Sequence, residues 1–268
     1  MNRRVMITGA GSGIGAALAC LVSAAGDEVL LADIDLDAAQ RVAATCEGKA
    51  HAIALDITSD EEWSAAFDDA CALLGGIDVL VNNAAIVHPG YALRVDKAAH
   101  RATLDVNAVG PMIGILTALP VFEEQGHGHV VTVCSMTAFI PFPGLTSYAA
   151  AKHALRAFHL GVAAEHRHSP VKFTIIHPGA TETPMLDREA ECDDVAFAFV
   201  SEASTPESVA AAILQAIDDE AVEAFVPADR ADMVRSLGQD PVALFALLDQ
   251  GEEEGLRRLR ERRAGAAA

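Results

Sequence analysis

The fold of this chain is decided by the stretch TGAGSGIG at residues 8–15. It follows the apolar run RVMIT at residues 4–8, and the helical pattern AALACLVSAAG begins directly after it. A glycine-rich turn between a strand and a helix lets the backbone approach a pyrophosphate closely, and it leaves the first N–H groups of the helix free to bind that anion. The pattern predicts a dinucleotide site, with a flexible surface turn as the alternative. The expected contributors are Gly9, Gly11, Ser12, Gly13, Ile14 and Gly15.

Outward from this stretch, short apolar runs alternate with segments of helical period. Later runs of this kind are EVLLAD, AHAIALD, DVLVNN, HVVTVCS and VKFTIIHPG. Repeated strand and helix units of this type form parallel sheets whose strands are buried on both faces. The sequence predicts an α/β protein, a single Rossmann domain with a doubly wound parallel sheet of about seven strands and helices on both faces.

The pattern divides the domain into a dinucleotide-binding catalytic part at residues 1–226 and a helical extension at residues 227–268. The extension contains three patterns typical of short helices: RADMVRSLG, PVALFALLDQ and EEEGLRRLRERR. We expect this extension to serve as a lid or as a subunit contact.

Charge and hydropathy exclude several classes of function. The 268 residues carry a formal net charge of -19, with 38 acidic residues against 19 basic ones. Nucleic-acid binding requires a basic surface, so no nucleic-acid partner is expected. No stretch approaches the roughly 18 apolar residues of a membrane helix, and the first residues lack the apolar run of a signal peptide. We therefore expect a cytoplasmic protein with no membrane partner.

Cysteine and histidine patterns do not indicate a metal site. The five cysteines are scattered without a C-x-x-C pair, which indicates reduced residues of the core. His127, His129, His166 and His168 have spacings that resemble metal ligands. We expect them in loops and at helix ends with no acidic partner nearby, and so we expect no metal.

The end of the second strand predicts the choice of cofactor. Asp33 lies there, 18 positions beyond Gly15, and its carboxylate can accept hydrogen bonds from both hydroxyls of an adenosine ribose. A 2′-phosphate would face this negative charge, and Ile34 and its neighbours add no arginine or lysine. NAD is therefore expected, and NADP is less favoured. The alternative is that Asp33 only caps the next helix.

Two further strand ends are expected to complete the cofactor cleft, because ligands of open parallel sheets bind beyond the carboxyl ends of the strands. Asp56 and Ile57 follow the third strand and suit the edge and face of an adenine ring. Asn83 and Ala84 follow the fourth, where a small side chain lets the chain pass close to a ribose. Each could instead be an ordinary turn residue.

Six features together resemble the short-chain dehydrogenase/reductase family. They are TGAGSGIG, NNAA, Asn107, Ser135, YAAAK and PGATET, and they occur in the family's order and spacing over about residues 3–226. The resemblance implies an oxidoreductase that transfers a hydride between NAD(H) and a secondary alcohol or ketone. A regulatory or sensor protein of the same fold, which binds NAD with little catalysis, is the alternative.

Tyr148 and Lys152 are four residues apart, so on a helix they share one face. Hydride transfer at an alcohol carbon requires a proton to leave or reach the oxygen, and a neighbouring ammonium lowers the pKa of a phenol that is otherwise a poor base. We expect Tyr148 to be the acid/base group. The resemblance implies that Lys152 also holds the nicotinamide ribose.

Two polar residues are expected to assist this pair. Ser135 ends the strand HVVTVCS, where its hydroxyl can stabilise charge on the reacting oxygen. The resemblance implies that Asn107 holds a water that relays protons from Lys152. The alternatives are that Ser135 caps the following turn and that Asn107 lies on a plain helix surface.

The segments after the later strands are expected to bind nicotinamide and substrate. Pro178 and Gly179 break the chain at the end of the sixth strand, and the resemblance implies that Thr181 and Thr183 hold the carboxamide. Segments near this end are mostly apolar, which favours an apolar small-molecule alcohol or ketone, and residues 184–204 are expected to close over it. The residues expected at the substrate are Ser135, Phe139, Phe142, Tyr148, Met185 and Leu186. We expect a homodimer, with a homotetramer as the alternative.

Overall fold

A computed structural model of the chain describes residues 2–266 and contains one parallel sheet. Its seven strands stand in the order β3-β2-β1-β4-β5-β6-β7, and every neighbouring pair is parallel. The strands are β1 Arg4–Thr8, β2 Glu28–Asp33, β3 Ala50–Ala54, β4 Val79–Asn82, β5 Gly128–Val133, β6 Val171–Pro178 and β7 Glu223–Val226. The predicted doubly wound sheet is confirmed.

Ten α-helices connect and follow the strands in the described part of the chain. They are α1 Gly13–Ala24, α2 Leu36–Ala43, α3 Asp60–Leu74, α4 Lys97–Leu104, α5 Gly110–Gln125, α6 Thr146–Glu165, α7 Pro184–Glu189, α8 Pro206–Asp218, α9 Ala231–Gln239 and α10 Pro241–Ala266. A π-helical turn, Asp105–Val109, joins α4 to α5. Short 3-10 helices occupy Met136–Ala138, Asp193–Phe199 and Ala228–Arg230.

The helices cover both faces of the sheet, as the apolar strands require. On one face, Leu18 of α1 and Ile213 of α8 are fully buried against the central strands. On the other face, Trp63 of α3 and Phe122 of α5 are equally buried. The indole N–H of Trp63 donates to the carbonyl of Ile57 at 2.9 Å, so its one polar atom is satisfied inside the core.

The C-terminal extension differs from its prediction, because the last two expected helices are one continuous helix, α10. Gly251, which separates the last two expected helices in the sequence, and Gly255 both lie on the buried face of α10 against Asp193–Phe199. A Cβ at Gly251 would lie 2.6 Å from the Phe197 ring, and one at Gly255 would lie 2.4 Å from the Ala196 carbonyl oxygen. Close packing compensates for the helix propensity that each glycine loses, about 1 kcal/mol.

Ion pairs also attach α10 to the rest of the domain. Arg262 binds Glu182 at 2.7 Å and Asp187 at 2.8 Å, and Arg263 binds Asp193 at 2.7 Å. The basic run at the end of the chain therefore faces an acidic partner surface within the same molecule, and α10 is fixed beside α7.

Among the described residues, one helical stretch is long and apolar enough to cross a membrane by length and composition. It is Lys97–Gln125, and it arises because α4, the π-helical turn and α5 are continuous. We expected no such stretch from the sequence. Ile115, Leu119 and Phe122 of α5 lie in the core against the sheet.

The expectation that the cysteines are core residues holds only for Cys134, which is buried. Cys71 is exposed, and Cys20 and Cys46 are partly buried with their sulfurs 3.5 Å apart. The sequence missed this because helix α3 turns Cys71 to its outer face.

Candidate active site

A cavity of about 800 Å³ opens at the carboxyl ends of the strands, where the strand order reverses between β1 and β4. This is where open parallel sheets bind ligands. The predicted site residues on its wall are Gly9, Ser12, Gly13, Ile14, Asp33, Ile34, Asp56, Ile57, Asn83, Ala84, Ser135, Phe142, Tyr148, Lys152, Pro178, Gly179, Thr181, Thr183, Met185 and Leu186. Gly11, Gly15, Asn107 and Phe139 do not line it.

The glycine-rich turn after β1 has the close approaches that its sequence predicts. Gly9 has φ +64°, a conformation that favours glycine, and a Cβ there would lie 2.7 Å from the Cα of Ala84. A Cβ at Gly15 would lie 2.3 Å from the carbonyl oxygen of Gly9. Gly11 and Gly15 therefore lie on the side of the turn away from the cavity and allow its close packing, while Gly9 and Gly13 line the cavity.

The N-terminus of α1 fits an anion. Ser12 is its N-cap residue, yet its side chain makes no capping hydrogen bond, and the first turn contains no acidic residue. The first N–H groups of a helix have no partner within the helix, and they carry its positive dipole end. Ser12, Gly13 and Ile14 all lie on the cavity wall, so a pyrophosphate in the cavity would meet free donors.

Asp33 lies on the cavity wall at the end of β2 and does not cap the next helix. Asp35 is the N-cap of α2, where its carboxylate accepts from the Ala38 N–H at 3.0 Å. The carboxylate of Asp33 accepts from the Gly11 N–H at 2.8 Å and from the Asp35 N–H at 3.0 Å. It is thus held beside the glycine-rich turn, and the capping alternative is wrong.

The polar side chains at the ends of β3 and β4 form hydrogen bonds within the protein. The carboxylate of Asp56 accepts from the N–H and the hydroxyl of Thr58 at 2.9 and 2.7 Å, as a turn residue does. The amide of Asn83 donates to the carbonyls of Thr8 at 2.9 Å and Gly9 at 3.2 Å, which joins the end of β4 to the glycine-rich turn.

Tyr148 and Lys152 lie on α6 and share the cavity wall, as predicted. The Lys152 ammonium lies 5.6 Å from the centre of the Tyr148 ring and donates to the Val133 carbonyl at 3.1 Å. Only 2% of Lys152 is exposed, and this burial lowers its pKa.

In the protein alone, burial raises the pKa of Tyr148 above its usual value, the charge of Glu189 acts in the same direction, and the nearby Ser135 hydroxyl opposes both. Removing a phenolate from water costs more free energy here than the Ser135 hydrogen bond returns. The protein by itself therefore keeps the phenol protonated at neutral pH. The lowering that we expect from Lys152 and the positive charge of oxidised nicotinamide stays a prediction.

Ser135 follows β5 and is fixed from two sides. Its hydroxyl accepts from the Thr137 N–H at 3.1 Å, so it does cap the following turn, and it also lines the cavity. Its carbonyl lies 3.1 Å from Nδ1 of the buried His177, whose Nε2 lies 3.1 Å from Glu223. Arg235 of α9 pairs with the same Glu223 at 2.7 Å, so the extension contacts the support of Ser135.

Comparison with known proteins assigns this arrangement to a family. The family model described as short chain dehydrogenase matches residues 3–193. The chain belongs to this family. Short-chain dehydrogenases are oxidoreductases that act on alcohols and ketones, and so does this chain.

Curated and solved relatives agree with this assignment. The 4-formylbenzenesulfonate dehydrogenase of Comamonas testosteroni is 36% identical, over 69% of this chain and 76% of the relative. The 3-alpha-(or 20-beta)-hydroxysteroid dehydrogenase of Mycobacterium bovis is 30% identical, over 82% and 84%. A 3-ketoacyl-(acyl-carrier-protein) reductase from Brucella melitensis, solved with NADH, is 28% identical with a TM-score of 0.76, over 83% of this chain and 96% of that one.

Asn107 of this short-chain dehydrogenase is buried in the π-helical turn, so the helix-surface alternative is wrong. Its side chain accepts from the Ile86 N–H at 2.8 Å and donates to the Ile86 carbonyl at 2.7 Å. Single π-helical turns occur frequently at functional sites. Here the turn directs an amide into the core, where it fixes the backbone that follows Ala85.

Phe139 does not reach the substrate side of the dehydrogenase cavity. The 3-10 helix Met136–Ala138 turns its ring toward β7, where it lies 4.9 Å from His177 and 5.3 Å from Phe225, measured between ring centres. The guanidinium of Arg156 covers the same ring at 4.1 Å. The sequence correctly placed this apolar residue near the end of the catalytic strand, but the 3-10 helix determines the direction of its ring.

The extension supplies cavity residues that sequence reasoning missed. Met233, Val234 and Leu237 of α9 and Leu247 of α10 line the cavity, together with Arg230. Their helical pattern indicated a buried face, but the sequence did not show which surface that face would cover.

Two of the four histidines have the acidic partners that we did not expect. His127 lies 3.0 Å from Asp78, and His166 lies 3.0 Å from Glu123. His129 is in β5, not in a loop, and it contacts the Thr174 hydroxyl at 2.7 Å. Within residues 2–266 no group of three or more potential metal ligands comes together.

Glu189, the last residue of α7, is another wall residue that the sequence did not predict. Only 8% of it is exposed, and burial raises the pKa of its carboxyl to about 7. It is one of several acids in the run DREAECDD, and nothing in that run distinguishes it from its exposed neighbours.

Replacing Glu189 by glutamine is expected to remove a pH-dependent loss of stability. The folded pKa, about 7, lies above the ordinary value of 4.5, so the folded chain binds this proton more tightly than the unfolded chain does. The stabilisation is complete below the ordinary value and is lost as the pH rises through the folded value. From pH 5 to pH 8 wild type should lose about 2 kcal/mol more than Glu189→Gln, a difference of about 4–8 °C in melting temperature. Identical pH dependence of the two melting temperatures would contradict this.

Proposed function

We propose that this short-chain dehydrogenase uses NAD(H) to interconvert an apolar secondary alcohol and its ketone. The observation that supports this most is that Tyr148, Lys152 and Ser135 lie on one wall of the cavity whose other end is the glycine-rich turn. When bound, NAD(H) supplies the acceptor or donor of the hydride. The protein must then hold and move one proton.

Tyr148 is the proposed acid/base residue. In the direction of ketone reduction, the phenol gives its proton to the carbonyl oxygen, and its raised pKa means that this proton is present at neutral pH. In the direction of alcohol oxidation, the phenolate takes the hydroxyl proton. Lys152 stabilises the phenolate that forms, and the Ser135 hydroxyl stabilises the charge on the substrate oxygen.

Asn107 is proposed to act more indirectly. Its side chain accepts one hydrogen bond from the backbone of Ile86 and donates one to it. It therefore positions the chain beside the cavity, and a water for proton relay would be held by the π-helical turn around it.

The remaining cofactor residues follow from their positions on the wall. We propose that the adenosine lies between Asp33, Ile34, Asp56 and Ile57, the pyrophosphate at the N-terminus of α1, and the nicotinamide near Pro178, Gly179, Thr181 and Thr183. The Thr183 hydroxyl already bonds the Thr181 carbonyl at 3.1 Å, which orders that segment.

NAD is proposed over NADP because of the charges near Asp33. The arginines and lysine on the cavity wall are Lys152, Arg188 and Arg230, and none of them belongs to the strand ends at the adenosine side. The NADH in the solved relative supports the same choice.

Replacing Asp33 by alanine is expected to narrow the preference for NAD. Removal of a carboxylate that faces the 2′-position should lower the ratio of kcat/KM for NAD to that for NADP by about 10-fold or more, since about 1.4 kcal/mol corresponds to tenfold. Asp35→Ala is the matched control, because Asp35 caps α2 and does not line the cavity. A wild type that already prefers NADP would show that our interpretation of Asp33 is wrong.

An apolar substrate is proposed because the wall beyond Tyr148 is apolar. Phe142, Leu145, Met185 and Leu186 line that half. The name of the hydroxysteroid dehydrogenase relative agrees with an apolar alcohol of this kind.

The test is absorbance at 340 nm with NAD and with NADP over a panel of secondary alcohols and ketones. Turnover with NAD and an apolar alcohol supports the proposal. Tight NAD binding without turnover of any alcohol or ketone would instead favour the sensor alternative.

We also propose a homodimer formed through α4 and α5. Leu104, Val109 and Leu116 are 39%, 45% and 56% exposed along this continuous helix, and exposed apolar side chains on one element can form a subunit contact.

A further inference from the structure

One acid on the cavity wall has no partner. Only 8% of the surface of Glu189 is exposed. Among residues 2–266, no group donates a hydrogen bond to its carboxyl or forms an ion pair with it. Burial is the one cause that shifts its pKa, which agrees with the absence of such a partner. A buried carboxyl with no donor costs free energy, so its position calls for an explanation.

The carboxyl is open toward the cavity. Glu189 lines the cavity, and its oxygens are not among the side-chain atoms of the described residues that are both unpaired and sealed from solvent. A molecule in the cavity can therefore reach them.

The other charged residues of the wall are engaged or exposed. Lys152 donates to the Val133 carbonyl, Asp33 accepts from the Gly11 N–H, and Arg230 donates to the Ser201 hydroxyl at 3.0 Å. Arg188 also lines the cavity, but it is exposed. Glu189 is thus the buried carboxyl of the wall that has no partner within the described part of the chain.

Its position is close to the reacting centre and surrounded by apolar side chains. Its charge raises the pKa of Tyr148, so the two groups are near enough to interact. Leu186 and Ala190 are buried beside it on the chain, and they belong to the apolar cluster that also contains Tyr148 and Met185. A substrate at Tyr148 would place its adjacent atoms against Glu189.

We propose that Glu189 accepts a hydrogen bond from a second hydroxyl group of the substrate, so that the enzyme selects diols or hydroxyketones over simple alcohols. This inference rests on the proposed function and identifies the substrate class of the same site. A neutral hydroxyl fits better than an ammonium, because the side chains beside this carboxyl on the wall, Met185 and Leu186, are apolar and would leave the other N–H groups of an ammonium without partners.

A hydrogen bond to Glu189 predicts strong discrimination between diols and simple alcohols. A site built to hydrogen-bond a substrate hydroxyl rejects the analogue that lacks it far more than an apolar site rejects a missing methylene, because the buried polar group is left unpaired. We therefore expect the ratio of kcat/KM for cyclohexanediols to that for cyclohexanol to be at least about 10 in wild type.

The experiment compares wild type with Glu189→Leu and Glu189→Gln, using cyclohexanol, the cyclohexanediols and 2-aminocyclohexanol as probes. Glu189→Leu should lower the diol-to-cyclohexanol ratio at least about 10-fold, whereas Glu189→Gln, which keeps an oxygen acceptor, should stay within about 3-fold of wild type. Glu191→Leu is the matched control, because Glu191 is exposed nearby and does not line the cavity. It should leave the ratio unchanged.

The same probes are also titrated by calorimetry into the full-length proteins in the presence of NADH. An alcohol cannot transfer a hydride to NADH, so this experiment measures binding without turnover. Weaker diol binding in Glu189→Leu, but not in the other variants, supports the inference even if no probe is oxidised. A lack of oxidation of every probe would count against the proposed function and not against the inference. An unchanged diol-to-cyclohexanol ratio of affinities in Glu189→Leu overturns the inference. So does a wild-type preference for 2-aminocyclohexanol that Glu189→Gln abolishes, since it would identify an amine as the ligand.

Discussion

Replacing Tyr148 by phenylalanine is expected to lower kcat at least about 100-fold while NAD binding stays nearly intact. A positioned acid/base group contributes about 10² to 10⁴ to the rate, and this substitution removes the phenolic oxygen alone. Burial keeps that oxygen protonated, so the residue is prepared to give a proton to a ketone. Steady-state turnover in both directions and a fluorescence titration with NADH measure the two effects separately.

The chain offers a matched control, since it has two tyrosines. Tyr91 is 41% exposed and lies outside the main cavity, so Tyr91→Phe should leave kcat unchanged. Unaltered turnover in Tyr148→Phe would remove the central residue of the proposed mechanism. An equal loss in both variants would point to a general effect of tyrosine replacement on the fold.

Replacing Gly15 by alanine is expected to destabilise the domain by about 1–3 kcal/mol and to weaken NAD binding at least about 10-fold. The added Cβ would lie 2.3 Å from the Gly9 carbonyl oxygen and 2.6 Å from the Asn83 amide nitrogen. Neither can move without displacing the turn that approaches the pyrophosphate. Thermal unfolding should show a fall of about 2–12 °C.

Gly161→Ala is the control for this substitution. Gly161 lies within α6, as Gly15 lies within α1, but a Cβ there would meet nothing within 4 Å. Alanine should stabilise that helix by about 0.5–1 kcal/mol and leave cofactor binding unchanged. If both variants shifted the melting temperature in the same direction, close packing behind the turn would not be the reason for glycine at position 15.

Local signals predicted most of the sheet and half of the site. The six apolar runs correspond to β1 to β6, because a strand buried on both faces is apolar along most of its length. Asp33 and the glycine-rich turn were predictable because each acts within one strand, turn and helix unit. Their contacts, such as the 2.8 Å bond from the Gly11 N–H to Asp33, join neighbouring units of the same sheet.

The failures share a physical cause, which is contact between segments distant in sequence. Gly251 indicates a helix end until Asp193–Phe199 packs on it, and the direction of Phe139 depends on Phe225 and His177. The pKa of Tyr148 is raised by burial and by the charge of Glu189, which comes from α7. A sequence shows which groups are present, whereas burial depends on what covers them.

The attachment of α10 and α9 connects the far wall of the cavity to the residues that carry the reaction. The part of the chain that matches the family ends at residue 193 and contains Ser135, Tyr148 and Lys152. Beyond it, Asp193–Phe199 and the two closing helices α9 and α10 complete the far wall of the cavity. Because Arg235 of α9 also pairs with Glu223, which holds His177 against the Ser135 carbonyl, a change in the tail would alter the far wall of the cavity and the support of a reacting group together.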